Sequence, residues 1–119
     1  MNTANEALAE WLGEALEPLG VPRFKKMFGG IGVYLDGLFF ALLAGGELWL
    51  KADADNTQAF EAQGSPLFTY DFNGKVGTMN YRRAPEDCID DGEALRDWVM
   101  LAVGAAQRAA RKPRAKGEK

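Results

Sequence analysis

The sequence predicts an α+β domain, an antiparallel sheet of about five to six strands with helices packed on it. Two observations carry this reading. Asp36-Gly37 and Asn73-Gly74 are preferred two-residue hairpin turns, each flanked by strand-like runs. Near both ends of the chain, apolar residues recur instead at helical spacing. The predicted order is α-β-β-β-β-α-β-β-α.

The first helix is expected to open at Thr3, with Thr3 and Glu6 in capping-box spacing. Leu8, Trp11, Leu12, Ala15, Leu16 and Leu19 form its apolar stripe, and Glu6, Glu10, Glu14 and Glu17 lie on the opposite side. Pro18 and Gly20 stop it, and Pro22 forces extended backbone. A strand is expected from Arg23 to Phe28, running into Gly29-Gly30, where paired glycines suggest a bulge or a close backbone approach.

Two consecutive hairpins follow between Met27 and Lys51. The Asp36-Gly37 turn pairs Leu35 with Leu38, Val33 with Phe40 and Ile31 with Leu42, all on one face. The next turn has two readings. A two-residue Gly45-Gly46 loop pairs Leu42 with Trp49 and sends Leu48 and Leu50 to the other side. A three-residue loop, Ala44-Gly45-Gly46, pairs Leu42 with Leu48 and keeps the apolar face intact, and it is the expected one. The second face carries Tyr34, Phe39, Ala41, Leu43 and Trp49. A sheet with one wet face would be polar there. That face is therefore expected to be covered by a helix or another polypeptide, with Tyr34, Phe39, Leu43 and Trp49 as the interaction face.

Asp53 is expected to cap a second helix, anchored by Phe60 and ended by Gly64. The Asn73-Gly74 hairpin pairs Phe72 with Lys75, Tyr70 with Gly77 and Phe68 with Met79. Phe68, Tyr70 and Phe72 share an aromatic face, while Thr69, Asp71, Thr78 and Asn80 share a polar one. Pro85 is expected at the first position of a helical turn, and Asp90 with Glu93 as the capping box of the last helix. That helix buries Leu95, Trp98, Val99, Ala102, Val103 and Ala106, and Pro113 ends it. Residues 1–112 thus read as one domain and 113–119 as a basic disordered tail.

Composition narrows the chemistry. A chain of 119 residues suffices for one self-supporting core. A single cysteine, Cys88, forms no internal disulfide, and no segment reads as a signal or a membrane span, so a cytoplasmic protein is expected. There is no histidine, which removes the commonest general base and zinc ligand. Cys88 sits near Glu86, Asp87, Asp90 and Asp91, whose negative charge disfavours a thiolate; it reads as a small buried hydrophobe. The same acidic cluster lacks the alternation of a calcium loop and reads as helix-start charge. Gly29-Gly30-Ile31-Gly32 runs into a strand without a Gly-Lys-Ser/Thr and fails as a phosphate loop. No catalytic site, cofactor or metal is expected, and the chain reads as non-enzymatic.

Charge is uneven. Six cations and one acid between Arg108 and Lys119 give a local +5, which leaves −8 on residues 1–107. Arg108, Arg111, Lys112 and Arg114 are therefore candidate phosphate contacts. No aromatic is interleaved among them for base stacking, so nucleic-acid binding is the runner-up reading.

Several segments together resemble a known family. Lys26-Met27-Phe28-Gly29-Gly30-Ile31-Gly32-Val33-Tyr34 with Asp36-Gly37 is similar to the opening of the TfoX/Sxy N-terminal domain. Leu48-Trp49-Leu50-Lys51, Phe68-Thr69-Tyr70, Met79-Asn80-Tyr81, Ala84-Pro85-Glu86 and the Trp98 helix extend the resemblance to about Arg111. It implies helices on a curved antiparallel sheet, similar to the YgaC/TfoX-N and secretion-chaperone-like folds. It also implies a bacterial protein linked to genetic competence, with a transcription factor (the cyclic-AMP receptor protein for full-length members) as partner. A protein-interaction module is therefore expected, and its exposed sheet or helix surface makes a homodimer a further expectation. Full-length members carry a second domain resembling a helix-hairpin-helix, which would begin where this chain ends. The family offers no catalytic motif.

Overall fold

The computed structural model describes residues 3–27, 29–89 and 91–111. Its elements are α1 (Thr3–Ala15), β1 (Arg23–Met27), β2 (Gly30–Leu35), β3 (Leu38–Ala44), β4 (Glu47–Lys51), α2 (Thr57–Ala62), β5 (Leu67–Phe72), β6 (Lys75–Arg83) and α3 (Gly92–Arg111). Short 3-10 turns lie at Glu17–Leu19 and Glu86–Cys88. The six strands form one sheet, ordered β1-β2-β3-β4-β6-β5, with antiparallel neighbours throughout. The α+β class and the order of helices and strands agree with the sequence reading.

Helices α1 and α3 lie together on β3 and β4, covering one face of the sheet. Leu12 of α1, Leu16 just after it, and Leu95, Val99, Ala102 and Ala106 of α3 meet Val33, Leu35, Phe40, Leu43, Leu48 and Leu50 in a single core. The three glutamates of α1, Glu6, Glu10 and Glu14, remain exposed, as an amphipathic helix requires, and so does Glu17 in the turn after it. Two long-range bonds fix the helices. Asn5 accepts from the Gly46 N–H at 2.8 Å, and Arg96 donates to the Ala15 carbonyl at 2.9 Å, closing the end of α1.

The central register differs from the sequence expectation. Leu35 pairs with Leu38 as expected, but a bulge at Val33/Tyr34 shifts the ladder, so Val33 faces Ala41 and Ile31 faces Leu43. The residue skipped is Phe40, which is fully buried in the helix-side core. This one-residue change of phase makes the two-residue Gly45-Gly46 turn the correct one. Leu43 then pairs with Leu48, Ala41 with Leu50 and Leu42 with Trp49. The apolar face survives because the bulge inverts the side on which Ala41, Leu42 and Leu43 point. Both turn glycines have positive φ, 62° and 78°, matching the Asp36-Gly37 and Asn73-Gly74 turns. Gly30 bears out the close-approach reading: a Cβ there would lie 2.3 Å from the Leu43 carbonyl oxygen.

The β5–β6 hairpin pairs as expected, Phe68 with Met79, Tyr70 with Gly77 and Phe72 with Lys75. Other local expectations shift by a few residues. Asp53 opens a turn instead of capping α2: its Oδ1 accepts from the Asp55 and Asn56 N–H groups, and α2 starts at Thr57. Thr3 is already helical. Pro85 precedes the 3-10 turn and does not open it. The cap of α3 is Asp91, whose carboxylate accepts from the Ala94 N–H at 3.2 Å; Asp90 lies outside the described residues. Residues 112–119, including the expected tail, also lie outside them.

Candidate functional site

Among the described residues, helices cover one side of the sheet. On the other side, alternation along each strand places Tyr34 (β2), Phe39 and Leu42 (β3), Trp49 and Lys51 (β4), Met79 and Tyr81 (β6), and Phe68 and Tyr70 (β5). The rings interlock across strands. Tyr34 stacks on Phe39 at 5.0 Å between centroids, Phe39 meets Tyr81 at 5.7 Å, and Trp49 meets Phe68 edge to face at 4.9 Å. The Lys51 ammonium sits 5.3 Å from the Tyr81 ring centroid, a cation–π contact.

Bulges at Val33/Tyr34 and Leu67/Phe68 bend the sheet, so that β5 and β6 face β2 and β3 across a trough. The trough has a volume of about 660 Å³ and is lined by Gly30, Leu42, Ala44, Phe68, Tyr70, Asp71 and Met79. Six of these offer mainly apolar surface, and Asp71 borders the trough from a strand position that alternates to the other face. Local structure holds the walls in place. Tyr70 lies over Gly77 so closely that a Cβ there would be 2.5 Å from the ring. Met79 is half-buried, and Leu42 is almost wholly buried.

Burial sets the protonation of this side. It pushes the Tyr81 phenol up to about 12, with Tyr34 adding to the shift. It also lowers the Lys51 ammonium from its ordinary value, against the opposing pull of Asp53. At neutral pH the phenol is therefore neutral and available only as a hydrogen-bonding group.

Three of the four residues read from sequence as the interaction face, Tyr34, Phe39 and Trp49, lie on this helix-free side. Leu43 does not. It is fully buried beneath the helices, because the Phe40 bulge reverses its side, and Leu42 takes its place. Phe68, Tyr70 and Met79 complete the trough. Their aromatic alternation is visible in the sequence, but the β4–β6 pairing that brings them beside Trp49 is not.

The phosphate candidates fare differently. Arg108 is engaged by acids: its Nε and Nη2 donate to Asp53 at 2.7 and 2.9 Å, and Asp55 lies 3.1 Å from Nε. The hydrogen bond from Arg108 holds the Asp53 carboxyl below its usual range against the effect of burial. Arg111 is exposed at the end of α3, and Lys112 and Arg114 fall outside the described residues. Cys88 is buried as expected; desolvation, with Asp87 adding to it, pushes its thiol up to about 11. That environment suits a packing residue and not a nucleophile.

Comparison with known proteins fits this architecture. The family model described as the TfoX N-terminal domain matches residues 14–106. Protein Sxy of Escherichia coli (strain K12) is 32% identical over 73 residues, which is 61% of this chain and 35% of that protein. The chain thus matches about a third of the length of that curated relative. With most of its length, from the end of α1 through the buried part of α3, inside the family match, the chain belongs to the TfoX N-terminal domain family.

Proposed function

We propose that this chain is a non-enzymatic protein-interaction domain in a regulator of genetic competence, acting as a transcription co-regulator in the cytoplasm. Its partner is a protein that presents apolar side chains to the trough. The observation that carries the reading is the trough itself. It is an apolar recess of about 660 Å³ on the sheet face without helices, walled by Leu42, Phe68, Tyr70 and Met79. Such recesses take the anchoring side chains of partners, and the aromatic residues around it are the types that dominate binding energy. The family match and the similarity to Protein Sxy support the regulatory part. A thiol buried in the helix-side core and a single carboxylate bordering the trough offer little to acid–base or nucleophilic chemistry.

The test is genetic. Competence-gene transcripts in the native host should fall when the gene is deleted. Restoring the wild-type chain should recover them, and restoring Met79→Lys should not. Met79 is half-buried on the trough wall, so the variant should melt within a few degrees of the wild type by circular dichroism. Unchanged transcripts on deletion would remove the regulatory reading. Full recovery by Met79→Lys would remove the trough from it.

A further inference from the structure

Among the described residues, the sheet has two open edges, β1 and β5. Open edges expose unpaired N–H and C=O groups that invite another strand. The two are not equally guarded. Strand β1 carries Arg23, Lys25 and Lys26, three exposed cations in five residues. Two copies of it brought side by side would repel. Strand β5 carries one charge, Asp71, in six residues. Its bulge lies at Leu67/Phe68, so the ladder from Phe68 to Phe72 runs regularly. Thr69 and Asp71 are exposed on one face, and Phe68 and Tyr70 line the trough on the other. Tyr70 is 44% exposed although its ring is pinned over Gly77, so an ordered aromatic surface stands beside an unpaired edge.

We propose that a second copy of this chain pairs antiparallel along β5, joining two sheets across a two-fold axis at Tyr70. This deepens the interaction reading above and rests on it. Directly opposed residues in an antiparallel pair must share a face, which leaves few registers. Centring on Asp71 would oppose two carboxylates. Centring on Thr69 would set each Asp71 against Leu67. Centring on Tyr70 sets each Thr69 hydroxyl against Asp71 of the second copy, twice by symmetry, and places Tyr70 against Tyr70. It also brings the two troughs together, because Phe68 and Tyr70 belong to both the edge and the trough wall. A closed two-fold contact of this kind ends at the dimer and does not propagate.

The register is tested at position 69 with charges of opposite sign. The full chain and the variants Thr69→Asp and Thr69→Lys are compared by sedimentation velocity from about 1 to 500 μM in low salt, a range that brackets weak association. Thr69 is exposed and faces neutral Thr78 within its own hairpin, so both variants should fold as the wild type does. The wild type should dimerise reversibly. Thr69→Asp, facing Asp71 of the second copy, should weaken the dimer by about tenfold. Thr69→Lys should tighten it several-fold, and added salt should shrink both shifts. A wild type monomeric throughout the range overturns the proposal, as does any pattern other than opposite shifts. The Met79 transcript experiment is independent of these outcomes, so failure of the dimer and failure of the regulatory reading are separable.

Discussion

Asn56 does more for this fold than its place in a polar turn suggests. It is almost fully buried. Its Oδ1 accepts from the Asp53 N–H at 2.8 Å, and its Nδ2 donates to the carbonyls of Lys51 and Leu101 at 3.2 and 2.9 Å. One amide therefore joins the end of β4, the turn before α2 and the middle of α3. Removing it takes away three partly buried hydrogen bonds, each worth about 0.5–1.5 kcal/mol. Asn56→Ala should destabilise the domain by roughly 2–4 kcal/mol in urea unfolding, while Asn56→Asp should lose the two carbonyl contacts and fare no better. The sequence shows an asparagine after Asp53-Ala54-Asp55 and nothing of Leu101, which is 45 positions away.

Among the elements, α3 shows how charge and packing share the work. Its apolar stripe holds it on β3 and β4, and Arg108 ties its far end to Asp53 and Asp55. Because Arg108 holds the Asp53 carboxyl below its ordinary value, the sign of the linkage is fixed. The stabilisation is present above the unfolded carboxylate value of about 4 and is lost as pH falls through the lowered folded value. Asp53→Asn should therefore melt a few degrees below the wild type at pH 7, and the gap should close as pH falls below the lowered folded value. Thermal melts across that range decide it; a gap that stays constant with pH would mean that the ion pair contributes nothing. The β2–β3 hairpin makes the complementary point. One bulge residue, Phe40, sets which face three successive residues occupy, and with them the turn that follows.

At the scale of the molecule, charge and shape point in the same direction. Residues 1–107 carry −8, and the glutamates of α1 line the outside. Such a surface repels a phosphate backbone. Arg108 is already paired with acids, which weakens the case for the basic end as a phosphate site. Fluorescence anisotropy with a labelled 20-base-pair duplex in 50 mM salt should show no saturable binding below about 1 μM, the tight end of the usual non-specific range. Removing residues 112–119 should change this by less than about twofold, since loss of real phosphate contacts would produce a much larger shift. Tight binding that disappears with those residues would favour the nucleic-acid reading.

The sequence by itself determined the alternation of helices and strands, the Asp36-Gly37 and Asn73-Gly74 turns, the register of the β5–β6 hairpin and the core stripes of α1 and α3. Each of these is written in local φ preference or in apolar period. Tertiary structure alone decided the rest. The bulge at Phe40 is a compromise between β3 and the two helices above it, and no local signal announces it. Asp53 gave up a helix cap because Asn56 and Arg108 reach it from other directions. The trough exists only because β6 inserts beside β4, an adjacency between segments about 30 residues apart that periodicity does not encode. Short-range chemistry specifies elements, whereas long-range pairing specifies which apolar faces are left for a partner.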